Sequence, residues 1–391
     1  MSPPLPKRTA SPAAIPKKST ANSYPWYSPR IWHGMRLRTW LSLLAKHRCA
    51  IHPLKLGLAA TVTAFAASNS INYRLQNMLY GKRLKKVELK QPMIFILGHW
   101  RSGTTYLHEL ISLDDRFASP NTIQCFAPAM FLMYGRLIER WLNFMMPRNR
   151  PMDNMQMGFQ KPQEDEFALS NMGEPSTYLR MAFPNHDLAN NDYLDLRELT
   201  SEELAHWKAT LDRFLRMVTL QEDKPLILKS PTHTGRIAYL SEMYPQAKFI
   251  HIARDPYDVY PSTIRLWQTM DEVQSFQVPK NVDYSEYVFR SFERMYNAYN
   301  DGVTQIAPER ICQTRYEDMV KDPVGELGRI YSELKLADYD QVRSKIEAAT
   351  EASKDYKKNE HQLNEATRRE VNRRWDHYFE KYGYEMEGES R

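Results

Sequence analysis

The chain has 391 residues, 42% hydrophobic and 12% aromatic, enough to bury a large core and to exclude global disorder. Its net charge of +6 is split: residues 1–90 carry 16 Lys/Arg and one acid, Glu88, whereas residues 91–391 carry 37 Lys/Arg and 46 acids. A net acidic body excludes a general nucleic-acid surface, and the lack of any run of roughly 18 apolar residues excludes a polytopic membrane protein. Cys49, Cys125 and Cys312 are too far apart for a disulfide framework or a zinc knuckle, and fit a reducing, cytoplasmic compartment.

Residues 1–30 hold seven prolines, five Lys/Arg and no acid, which predicts a disordered basic tail. Residues 31–90 predict a basic amphipathic helical segment. Trp32, Met35, Leu37, Trp40, Leu41, Leu43 and Leu44 alternate there with Arg36, Arg38, Lys46 and Arg48. Leu56–Tyr73 is uncharged, but only Leu56–Ala67 is apolar, too short to span a bilayer of roughly 30 Å. Lys82, Arg83, Lys85 and Lys86 follow. Two readings stand. The segment docks on the body with its charges in water, or it makes peripheral contact with the inner face of an anionic membrane.

Residues 91–391 read as one α/β domain with a core over 92–335, an insert over about 120–222 and a charged helical region over about 340–380. Short apolar runs at Met93–Leu97, Leu226–Leu228, Phe249–Ala253 and Ile311–Thr314 predict four strands. Helical stretches at Thr104–Leu113 and Asp258–Gln268 alternate with them. This order predicts a P-loop-type parallel β-sheet flanked by helices on both faces, with a helical N-terminal segment and a mostly helical insert.

The strongest local signal is Gly98-His-Trp-Arg101-Ser102-Gly103-Thr104-Thr105-Tyr106, directly after the first run. A buried strand, a tight glycine turn and a helix N-terminus make an anion site from backbone N–H groups. The spacing of Gly98 and Gly103 matches a Walker A loop, yet Thr104 stands where a nucleoside triphosphatase has lysine, and the basic residue is Arg101. Two further signals fall at predicted strand ends, where open α/β sheets bind ligands. Arg254 and Ser262 lie eight residues apart in Ala253-Arg-Asp-Pro-Tyr-Asp-Val-Tyr-Pro-Ser262, a guanidinium and a hydroxyl suited to a phosphate monoester. A salt bridge from Arg254 to Asp255 or Asp258 is the plainer reading. Lys229 and His233 lie in Leu228-Lys-Ser-Pro-Thr-His233.

With GHWRSGTTYL at 98–107, LKSPTH at 228–233, ARDPYDVYPS at 253–262 and the weaker RYEDMVKDP at 315–323, the chain resembles the PAPS-dependent sulfotransferase superfamily, closest to its broad bacterial branch. The resemblance covers about residues 92–335. It implies transfer of a sulfuryl group from PAPS to a hydroxyl or amine of a small-molecule, carbohydrate or lipid acceptor, without a metal. It implies that Arg101, Ser102, Gly103, Thr104 and Thr105 hold the 5′-phosphosulfate and that Tyr106 stacks on adenine. Arg254 and Ser262 would clasp the 3′-phosphate, Lys229 would sit near the bridging oxygen, and Tyr316 would lie near adenine. The basic-glycine element that some eukaryotic members carry near the C-terminus is not evident, so part of the 3′-phosphate site is unassigned.

Negative charge grows on the leaving phosphate during such a transfer, so Arg101 and Lys229 are the expected electrostatic catalysts. The acceptor must lose a proton, which calls for a general base. One candidate is His233, displaced from the Lys-x-His position of one branch, where this chain has Pro231. The other is the cluster Glu164-Asp165-Glu166, with Glu166 expected to point inward; its plainer reading is the acidic first turn of a helix. His99 and His108 read as structural, and Phe126, Phe131, Trp141, Phe144 and Met145 as core. Two alternatives remain: a P-loop kinase or nucleotidase with an altered loop, and a non-catalytic membrane-surface binding protein of the same fold.

Overall fold

The computed structural model describes residues 28–142, 158–186, 190–352 and 363–388. The four predicted runs form strands β1 (Ile94–Leu97), β2 (Ile227–Lys229), β3 (Lys248–Ala253) and β4 (Ile311–Arg315). They make one parallel sheet in the order β2-β1-β3-β4. The chain leaves β1 to pair on one side and then crosses to the other, so the strand order reverses at β1. That reversal opens a crevice at the carboxyl ends of the strands.

Both faces of the sheet are apolar. Ile94, Ile96, Ile250 and Ile252 face one core with Leu107, Ile111, Leu327 and Ile330, while Phe95, Leu97, Phe249 and Ala253 face the other with Leu240, Phe292 and Met295. Burial on both faces explains why β1, β2 and β3 read as near-continuous apolar runs, while the edge strand β4 alternates, with Gln313 exposed. Helices Thr104–Ile111, Pro323–Glu333 and Asp340–Ala352 cover the first face. Helices Ile237–Met243, Pro256–Gln274 and Tyr284–Val303 cover the second. The C-terminal helix Glu365–Tyr382 adds an aromatic layer, in which Trp375 stacks on Phe292 at 3.8 Å between centroids.

The N-terminal segment forms helices Leu37–Lys46 and Leu56–Leu84. The second runs unbroken through Asn69–Asn72, past the apolar part that ends at Ala67. Trp32, Trp40, Val62 and Ala66 are buried in the same core as the sheet, so this segment is docked on the body. The insert carries helices Thr122–Phe126, Phe131–Leu142, Asp165–Met172 and Ser201–Glu222. Phe131 is core and Phe126 packs against Phe167, whereas Phe144 and Met145 lie outside the described residues, as does the tail over 1–27.

Candidate active site

The phosphate loop follows β1, the inner strand at the point of reversal. Gly98 has φ +148°, and a Cβ there would stand 2.6 Å from the Ile252 carbonyl oxygen on β3. Gly103 has φ +99°, and a Cβ there would meet the Tyr316 ring at 2.4 Å. Side chains are thus excluded from both glycine positions by neighbouring strand ends. Thr234 Oγ1 accepts from Gly98 N at 2.8 Å, and Ser102 Oγ donates to the His99 carbonyl at 2.7 Å. His99 is buried and its imidazole is pushed down to about 3 by desolvation, so it is neutral loop structure. His108 bonds Ser119 Oγ at 3.1 Å and is likewise structural.

One flank of the loop is cationic. Arg101 Nε donates to Ser262 Oγ at 2.9 Å, and Arg254 Nη1 donates to the Arg101 carbonyl at 2.9 Å. The plainer reading of Arg254 also holds, since Nη2 pairs with Asp258 at 3.2 Å. Its Nε is buried, with no hydrogen-bond partner among the described residues. The guanidinium lies 4.4 Å from the centroid of the Tyr316 ring, which itself covers Gly103. Tyr378 of the C-terminal helix braces this strand end, because its hydroxyl accepts from Arg254 N at 3.1 Å. Arg101, Arg254, Ser262 and Tyr316 therefore converge although β1, β3 and β4 are far apart in sequence. Tyr106 is half-buried beside Tyr316, packed against the first core.

The other flank is built around Lys229, at the end of β2 and almost fully buried. Its Nζ lies 3.4 Å from Thr105 Oγ1 in the loop and 2.7 Å from Glu164 Oε1. Glu164 is the N-cap of helix Asp165–Met172. Its second oxygen accepts from the Tyr178 hydroxyl at 2.5 Å, and that hydroxyl accepts from the indole N–H of Trp100 at 2.8 Å. Burial and the charge of Glu164 push the Tyr178 phenol well above its usual range, so it remains a donor. A buried tyrosine and a strand-end lysine thus converge on one carboxylate, and the loop reaches it through them, by Trp100 on Tyr178 and Thr105 on Lys229.

The two acids after Glu164 turn away from the crevice. Glu166, expected to point inward, is 1% exposed and pairs with Arg236, itself 0% exposed, at 2.5 Å and 3.1 Å. Ser176 and Thr232 donate to the same carboxylate. Burial raises the Glu166 carboxyl, but the Arg236 charge and these donors outweigh it and hold it below the usual range. Asp165 binds His233 Nε2 at 2.6 Å and Ser230 Oγ at 2.9 Å, with both its own and the histidine side chain fully buried. Burial raises its carboxyl too, and the adjacent imidazole with the two hydrogen bonds brings it below normal. His233 packs its ring edge-on to Phe95 and has a buried Nδ1 without a partner among the described residues. Of the base candidates, Glu166 and His233 lie in the interior, each held by buried polar contacts, and Glu164 lies at the crevice. Trp100, Tyr178 and Arg236 carried no sequence signal, because their partners lie up to 78 residues away.

A doubly covered parallel sheet, a phosphate loop at its point of reversal and a buried Lys–Glu pair beside that loop define a P-loop-type transferase. The model of a sulfotransferase family matches residues 92–341, and the chain belongs to that family. It is a sulfotransferase. Among similar proteins are the omega-hydroxy-beta-dihydromenaquinone-9 sulfotransferases Stf3 of Mycobacterium bovis and Mycobacterium tuberculosis, each 38% identical over 360 residues, covering 92% of this chain and 92% of theirs. The fold is shared with the crystal structure of sulfotransferase STF9 from Mycobacterium avium, with a TM-score of 0.65 at 17% identity over 91% of this chain and 98% of that one. It is shared also with sulfotransferase STF1 from Mycobacterium tuberculosis, with a TM-score of 0.57 at 17% identity over 83% and 88% of the two chains.

Proposed function

We propose that this sulfotransferase moves a sulfuryl group from PAPS to the terminal hydroxyl of an isoprenoid quinone lipid. The observation that carries the reading is the Glu164–Lys229 pair at the phosphate loop, 2.7 Å apart. The lipid acceptor rests on the 38% identity to the dihydromenaquinone sulfotransferases over nearly the whole chain.

In this reading the loop amides and Arg101 receive the 5′-phosphosulfate, while Arg254 and Ser262 take the 3′-phosphate. The buried, unpartnered Nε of Arg254 fits an anion that completes its hydrogen bonding. The acceptor oxygen attacks sulfur in line, a new S–O bond forms, and the S–O bond to the phosphate breaks. The electron pair of the broken bond leaves on PAP, beside the cations Arg101 and Lys229. Glu164 takes the acceptor's proton. Lys229 lies between Glu164 and Thr105, so one ammonium serves base and leaving group in turn. Tyr178 holds the far oxygen of Glu164, and Trp100 holds Tyr178, which couples the base to the loop's own conformation.

Incubation with labelled PAPS, ω-hydroxylated dihydromenaquinone, its unhydroxylated parent and a polysaccharide extract tests the reading. Label is expected in the hydroxylated lipid alone, without added divalent metal. Label in polysaccharide but not in lipid would overturn the acceptor, and no transfer from PAPS to any acceptor would overturn the donor.

The 3′-phosphate assignment has its own test. Arg254→Ala should weaken PAP binding roughly 10- to 100-fold, the usual worth of a hydrogen bond between charged groups, and leave AMP nearly unchanged. Calorimetry with both ligands measures this, and equal losses would refute the assignment.

A further inference from the structure

Helix Leu56–Leu84 is docked by one side only. Ala59, Val62, Ala66, Asn69, Gln76 and Leu84 are buried and lie on one face. The outward face of a helix on a soluble protein is normally polar. Here it is not. Ala60, Ala64, Ala67, Ile71, Leu75, Met78 and Leu79 are all exposed, Ile71 by 63% and Met78 by 73%. With 100° per residue these positions share the side opposite Val62 and Ala66. At 1.5 Å per residue the 29-residue helix is about 43 Å long, so the apolar stripe is extended. Exposed Leu54 and Leu56 continue it at the N-terminal end, and Leu137 of the neighbouring helix Phe131–Leu142 is also exposed.

The charges frame this stripe. No acid occurs between residues 1 and 87, and Lys82, Arg83, Lys85 and Lys86 are exposed at the helix end. An apolar outward face with cations at its end is complementary to a bilayer surface bearing anionic headgroups. Among the described residues no helix is long and apolar enough to cross a membrane, which fits a helix lying in the plane of the interface. The helix is also rigidly joined to the insert that carries Glu164. Gln76 donates to the Pro128 carbonyl at 2.9 Å and accepts from Leu132 N at 3.0 Å, and Arg36, the N-cap of the preceding helix Leu37–Lys46, donates to the carbonyl of Met172, the last residue of the Glu164 helix.

We propose that the outward face of helix Leu56–Leu84 is a peripheral docking surface for an anionic lipid bilayer. Ile71, Leu75 and Met78 enter the interface, and the Lys82–Lys86 cluster contacts headgroups. Its use in presenting a lipid acceptor rests on the function proposed above; the docking itself does not.

The full chain should co-sediment with vesicles of phosphatidylcholine containing phosphatidylglycerol. It should do so far less with phosphatidylcholine alone, and less again as salt is raised. The triple substitution Ile71→Asp, Leu75→Asp and Met78→Asp should lower partitioning at least about tenfold. Replacing Lys82, Arg83, Lys85 and Lys86 by Gln should remove the preference for anionic vesicles. PAP binding should be unchanged in both variants, which shows that they are folded. Wild-type chain remaining in the supernatant with anionic vesicles, or the triple variant sedimenting as wild type, would overturn the proposal. So would a wild-type dimer, seen by analytical ultracentrifugation, that the triple variant dissolves, since a second copy would then own this face. Wild-type chain that transfers to detergent-dispersed quinone yet does not bind anionic vesicles would count against the docking surface alone. Absence of transfer with docking intact would count against the acceptor.

Discussion

Glu164→Gln is expected to lower turnover by about 10²–10⁴-fold, the usual worth of a general base, while PAP affinity stays as in the wild type. The amide keeps the shape of the side chain and can still accept from Tyr178, but it cannot take a proton. The prediction follows from where the carboxylate lies. Of the three adjacent acids, Glu164 alone retains appreciable exposure, 13% at the side chain, and it alone contacts the strand-end lysine beside the loop. Tyr178→Phe removes one of its two donors and should lower turnover less than Glu164→Gln does. Single-turnover rates at saturating PAPS, with calorimetry for PAP, measure both effects. Wild-type turnover in Glu164→Gln would remove Glu164 from the mechanism.

Glu166→Gln should behave in the opposite way, with a large loss of stability and little change in turnover per folded molecule. Its carboxylate neutralises Arg236, whose guanidinium is completely buried and also donates to the Tyr193 carbonyl. Removing one partner of a buried ion pair leaves an uncompensated charge in the interior and typically costs about 3–5 kcal/mol. A neutral amide leaves Arg236 without its counter-charge, and offers only one acceptor oxygen to Arg236, Ser176 and Thr232. Replacing both partners by apolar residues, Glu166→Leu with Arg236→Met, should recover much of the loss, because no unpaired charge then remains. Denaturant unfolding of the three proteins measures this. A stable Glu166→Gln protein with abolished turnover would reverse the roles given to Glu164 and Glu166.

The contrast between these neighbours shows how far the sequence could be read. The four strands and the double cover of a parallel sheet were legible because β1, β2 and β3 are short apolar runs closed by a glycine or a basic residue; the order of the strands was not, and β4 alternates in burial. The phosphate loop was legible because its conformation is demanded locally by Gly98 and Gly103. Arg254 and Ser262 could be paired in advance, since eight residues from a strand end into the following helix bring both to one crevice. Helix Leu56–Leu84 was partly legible. Its apolar and basic content was plain, but its continuity through Asn69 was not. Asn69 is buried and donates to the His33 and Met35 carbonyls, so tertiary contacts override its poor helix propensity.

By itself, then, the sequence determined the sheet, the loop and the cationic strand ends, all features whose physics lies within a dozen neighbouring residues. It also offered His233 and the acids 164–166 as candidates for the proposed base. Only the tertiary structure decided where each of those groups lies. Glu164 caps a helix whose next residues advance by about 100° each, so three consecutive carboxylates meet three different environments. Lys229 and Tyr178 approach the first, His233 approaches Asp165, and Arg236 approaches Glu166. Those partners come from segments 14 to 70 residues away, and the charge balance among them is settled by packing rather than by spacing along the chain.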